Sequence, residues 1–106
     1  MLYWSCLALA IALEIAGTTS MKLSQGFTRP LPSVLLFVFY ALSFALMTVA
    51  VKRIDMSVSY AIWSGAGTAV ITLIGVYAFG ETLSAVQIAS IALIIAGVIG
   101  LRAGAL

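Results

Sequence analysis

The chain has 106 residues, of which 64% are hydrophobic and only 8% charged. A soluble domain carries about 25% charged residues, so this chain lacks the polar surface to stay in water, while a disordered chain would be poor in apolar residues. Histidine is absent and there is one cysteine, which excludes a Ser-His-Asp site, a cysteine–histidine pair, a histidine-based metal site and an internal disulfide. Five scattered cations form no stripe, so nucleic acid is not an expected partner. What remains is an integral membrane protein of one domain, with no catalytic constellation and no cofactor or metal expected.

A membrane-crossing helix needs roughly 20 mostly apolar residues. Four stretches qualify, at residues 2–21, 34–51, 57–79 and 83–101. The expected fold class is therefore all-α, with residues 1–106 forming a single four-helix transmembrane domain. These stretches are too long and continuous for transmembrane β-strands, which alternate over about 10 residues. Nearly all charge lies between the spans or at their ends: Lys22 and Arg29, then Lys52, Arg53 and Asp55, then Glu81, then Arg102. The connections are short and leave no room for an extramembrane domain. With four spans, Lys52, Arg53 and Arg102 share one side of the membrane, and Lys22 and Arg29 the other. Three against two is a small positive-inside bias, compatible with one fixed orientation or with insertion both ways.

The first span lacks a basic start and is interrupted by Glu14, so it reads as a span rather than a cleavable signal peptide. Tyr3 and Trp4 read as interface anchors. Cys6 reads as a small hydrophobe. Glu14 lies a little past the middle of the span, where an ionised carboxylate costs several kcal/mol unless paired or hydrated. No intramembrane cation exists to pair with it, so it is protonated much of the time or faces a wet cavity that receives cations. Gly17 and Thr18, three and four residues on, share its helix face. The glycine there leaves room beside the carboxylate or serves close helix packing. The connection from Lys22 to Ser33 carries Gly26, Pro30 and Pro32, which are turn and helix-start signals.

The second span places Tyr40, Ser43, Phe44 and Met47 on one face, and the third does the same with Tyr60, Trp63, Ser64 and Gly67. Aromatic rings around a carboxylate suit a hydrophobic cation, with Met47 as an adaptable wall. The same residues also fit interface anchoring and plain packing. Gly65 and Gly67 permit close contact or a bend. The fourth span carries Gly97 and Gly100, with Gly104 just beyond, and no ionisable residue before Arg102; it is expected to be a contact surface. Four helices enclose little volume, and one carboxylate per chain is a meagre site, so size points to an oligomer. In a dimer, two Glu14 carboxyls would titrate as a coupled pair.

EIAGTTSMK around Glu14, GFTR followed by Pro32 and Ser33, YAIWSGAG from Tyr60 to Gly67, and FGETLS after the third span resemble the small multidrug resistance family of bacterial inner-membrane transporters. The resemblance covers essentially the whole chain. It implies an antiparallel, dual-topology homodimer that exchanges protons for cations, with Glu14 as the essential carboxylate. It also implies that Tyr60 and Trp63 line the site and that Tyr40, Ser43 and Phe44 contribute from the second helix. Met47 stands where the multidrug branch often has leucine, and Trp4 where it usually has tyrosine. The fourth helix, around Gly97, would be the main dimer contact. Gly17 occupies the position where the guanidinium-exporting branch usually has tryptophan, so the chain looks like the branch that exports quaternary ammonium cations. Gln25 and Leu31 depart from the acidic and aromatic residues often seen in that loop. VKRIDMSVSYAIW is similar to members that work as two-gene pairs, some of which handle polyamines. The alternatives carried forward are a guanidinium, small-amine or polyamine exporter, half of a heterodimeric pair, and a structural membrane protein without transport.

Overall fold

In hydrocarbon every backbone N–H and C=O must find a partner inside the protein, which favours helices. The computed structural model describes residues 1–105. Among these there are four α-helices and no strand: α1 (Leu2–Leu23), α2 (Pro30–Ala50), α3 (Met56–Phe79) and α4 (Ala85–Gly104). At 1.5 Å per residue each is about 30–36 Å long, enough to cross a hydrocarbon core of about 30 Å.

Local chemistry explains where each helix stops. α1 carries Lys22 in its last turn, where a cation complements the negative end of the helix. α2 begins at Pro30, four residues before the apolar run at Val34, because prolines at the first positions lose no helical hydrogen bond. α3 ends where Gly80 adopts a left-handed φ of 68°, and the Glu81 N–H returns to the Gly75 carbonyl at 3.0 Å. Ser84 caps α4: its Oγ accepts the Gln87 N–H, and Gln87 Oε1 accepts the Ser84 N–H. In the α1–α2 connection, buried Ser24 donates to the Met21 carbonyl and accepts the Phe27 N–H. Phe27 has φ 68°, a conformation costing roughly 1–2 kcal/mol for a side chain of this kind. Its ring stacks on Phe37 at 6.0 Å, which offsets part of that cost.

α1 packs against both α2 and α3, and α3 carries α4. The buried stripe of α1 is Leu7, Ala10, Gly17 and Ser20, and Glu14 falls on the same stripe by helical spacing. Leu7, Ala50, Ile54 and Val58 form an apolar core, with Tyr3, Cys6, Met47 and Trp63 packed against it. Trp4, Arg53, Asp55 and Arg102 line one small pocket, so the chain start, the middle connection and the last turn of α4 meet at one end. Lys22, Arg29 and Glu81 gather around another pocket, at the opposite end of α1. The Arg102 guanidinium lies 5.3 Å from the Trp4 ring. No residue of α4 is buried among the described residues.

Candidate functional site

Glu14 is half-buried at the junction of α1, α2 and α3. Its Oε1 accepts a hydrogen bond from Thr18, one helical turn on, at 2.9 Å. The Thr18 oxygen lies 2.6 Å from the Tyr40 hydroxyl of α2. Thr18 has one hydroxyl proton and directs it at Glu14, so Tyr40 is the donor in that second bond. The result is a relay from Tyr40 through Thr18 to the carboxylate. Gly17 makes it possible: a Cβ there would stand 2.9 Å from the Tyr40 ring.

The other oxygen, Oε2, is buried and has no hydrogen-bond partner among the described residues. It lies against Gly67 of α3, where a Cβ would be 2.7 Å away. An ionised carboxylate has about four acceptor positions, and this one is served by a single protein donor. A proton on Oε2, or a cation beside it, would balance the charge.

The aromatic side chains are contiguous. Ring centroids run from Tyr40 to Phe44 at 6.3 Å, from Phe44 to Trp63 at 5.8 Å and from Trp63 to Tyr60 at 5.6 Å. Trp63 Nε1 donates to Ser43 Oγ at 3.2 Å, and Ser43, fully buried, donates to the Ala10 carbonyl at 2.6 Å. That chain of bonds ties α3 through α2 to α1 and fixes the indole plane. Phe44 and Tyr60 are 55% and 60% exposed, so the aromatic face is covered on one side only.

The structure thus brings together Glu14, Gly17, Thr18, Tyr40, Ser43, Phe44, Tyr60, Trp63 and Gly67. Met47 lies apart from the carboxylate relay, packed on the apolar core of Leu7, Ala50, Ile54 and Val58. Trp4 sits at the far end of α1 beneath Arg102. Gly65 faces α4, where a Cβ would stand 2.7 Å from Val98. Gly65 and Gly67 therefore both serve close approach, one to α4 and one to Glu14, within a helix that is unbroken from Met56 to Phe79. Gly97 and Gly100 have open space where a Cβ would point, among the described residues.

One feature escaped the reading of the sequence. An open pocket of about 720 Å³ lies between the ends of α1 and α3, lined by Thr18, Lys22, Arg29, Ile74, Phe79 and Glu81 among others. It begins at Thr18, one hydrogen bond from Glu14, and reaches Glu81 just beyond the end of α3. In the sequence Glu81 stands out only as charge between spans and as part of FGETLS, neither of which places it at a pocket. The available signal was Gly75, which is buried and leaves the Glu81 carboxylate room to lie against α3.

Comparison with known proteins agrees with this architecture. Residues 2–94 match the model of the Small Multidrug Resistance protein family. Membrane protein YvaE of Bacillus subtilis is 52% identical over 93% of this chain and 83% of its own length. Multidrug resistance protein EbrB of the same organism is 43% identical over 91% of the chain and 82% of its own length. Multidrug transporter PA4990 of Pseudomonas aeruginosa is 40% identical over 88% and 84%. The match spans nearly all of the four-helix unit that holds Glu14, and the chain belongs to the Small Multidrug Resistance family of multi-pass membrane transporters.

Proposed function

We propose that this transporter exports lipophilic and quaternary ammonium cations across a bacterial inner membrane in exchange for protons, the two competing for Glu14. The observation that carries this reading is Oε2 of Glu14, buried against Gly67 without a hydrogen-bond partner among the described residues. A proton or a cation satisfies it, and a single oxygen does not serve both at once. Mutually exclusive occupancy with alternating access suffices for antiport. The aromatic series from Tyr40 to Tyr60 supplies apolar, non-directional contacts, which suit broad specificity. Gly17 supports the quaternary-ammonium branch over the guanidinium one, since a tryptophan there would displace the Tyr40 ring and with it the donor to Thr18.

The working unit in this reading is an antiparallel homodimer of dual topology. The half-open aromatic face and an α4 with no buried residue leave surfaces for a second copy to cover, with Gly97 and Gly100 at the contact. Gly65 and Gly67 would serve as the flexible point of α3 during the change of access.

The test is proton release from purified protein on adding substrate at slightly alkaline pH. A quaternary ammonium and guanidinium are compared side by side, with Glu14→Gln as control. Release by the quaternary ammonium, lost in the variant, is the expected result. Release by guanidinium alone moves the protein to the other branch. Silence for both in folded protein overturns the homodimeric antiporter and points to a missing partner subunit or to no transport.

A further inference from the structure

We propose that Glu81 is a second carboxylate for extended dications, holding one cationic head at the mouth of the 720 Å³ pocket while Glu14 holds the other. This rests on the reading of Glu14 as the cation site and adds a specificity-determining residue to it.

Both carboxylates lie against glycines of the same helix. A Cβ on Gly67 would stand 2.7 Å from Glu14 Oε2, and one on Gly75 would stand 2.5 Å from Glu81 Oε1. The two glycines are eight residues apart, about 12 Å along α3 at 1.5 Å per residue. The pocket runs from Thr18, whose hydroxyl is bonded to Glu14, past Gly75 to Glu81. Ile71, Ile74 and Phe79 line the stretch between and suit an apolar linker. Its volume is in the range of small-molecule sites.

Lys22 and Arg29 line the same pocket and oppose a lone cation at the mouth. The Lys22 ammonium stands 6.0 Å from the Phe79 ring centroid, so this wall already holds a cation against an aromatic face. A dication anchored at Glu14 delivers its second head to Glu81 at high effective concentration, which offsets the repulsion from Lys22. A monocation gains nothing from Glu81, because its one charge is held at Glu14.

The experiment compares decamethonium with decyltrimethylammonium, which has the same head group and chain but one charge, binding to purified protein in lipid nanodiscs. Glu81→Gln is expected to weaken decamethonium binding about tenfold and to change decyltrimethylammonium less than about twofold. Lys22→Gln is expected to tighten decamethonium about threefold by removing a like charge from the pocket wall. The Glu81 N–H bond to Gly75 is made by backbone, so the helix end survives the Glu81 substitution. Equal shifts for both ligands in Glu81→Gln, or no shift for either, overturn the proposal, as does weaker decamethonium binding in Lys22→Gln. Glu14→Gln separates the two levels. Wild-type decyltrimethylammonium affinity in that variant overturns the cation site itself. Loss there, with Glu81→Gln unaffected for decamethonium, overturns only the second carboxylate.

Discussion

α1 and α4 have nearly the same length and are both apolar enough to cross a membrane, yet they occupy opposite situations. α1 sits between α2 and α3, with four buried residues and Glu14 on its inner stripe. α4 leans mainly on α3, with Arg102 also over Trp4, and none of its residues is buried among the described residues. Apolar content does not separate them, because lipid is as apolar as leucine and burying a leucine gains little in a bilayer. Polar and small side chains do. Glu14, Thr18 and the Ala10 carbonyl all find partners or close neighbours on α2 and α3. The polar side chains of α4 before Arg102 are satisfied locally, Gln87 in the cap with Ser84 and Ser90 on the Val86 carbonyl, so its apolar surface remains open to lipid or to another copy.

The sharpest way to break this contrast is Glu14→Gln. It is expected to abolish coupled transport, a loss of about 100-fold or more, with unchanged helix content by circular dichroism; retained pH-driven uptake in proteoliposomes would sink the mechanism. Next is Gly67→Val. Its side chain would collide with Glu14 Oε2, and we expect transport to fall about tenfold with the relay from Tyr40 disturbed. A Gly67→Val protein as active as wild type would show that the carboxylate does not need the α3 cradle.

The matching change on the open helix is Gly97→Leu. No atom of the described protomer lies where the new side chain begins, so helix content should be unchanged. Several-fold loss of the dimer by crosslinking is the expected result, and an unaltered dimer would remove α4 from the contact. Trp63→Gly is expected to widen or weaken substrate choice by removing the link between Phe44 and Tyr60. An unchanged resistance profile across cations would argue against a lining role. Smallest of all, Ser43→Ala leaves Trp63 Nε1 and the Ala10 carbonyl without their shared partner. A loss of about 1 kcal/mol in stability, measured by unfolding in mixed micelles, is the expected cost.

Much of the site could be read from spacing. Glu14, Gly17 and Thr18 share a face in any helix, and so do Tyr40, Ser43 and Phe44 or Tyr60 and Trp63. Spacing says nothing about which faces meet. That Tyr40 reaches Glu14 through Thr18, and that Gly67 rather than a hydroxyl abuts Oε2, depends on how α2 and α3 are rotated about their axes. Met47 illustrates the limit: it shares a face with Tyr40 and Phe44, but a full turn beyond Ser43 that face has reached the apolar core.

Composition and length alone determined four membrane-spanning helices, short charged connections and one carboxylate out of place in hydrocarbon, because transfer energies act on each segment independently of its neighbours. Tertiary structure alone decided which oxygen of Glu14 lacks a partner, which helix stays open, and that Glu81 shares a pocket with Thr18. Those outcomes depend on contacts between residues far apart in the chain, where a single Cβ at Gly67 or Gly75 changes what fits.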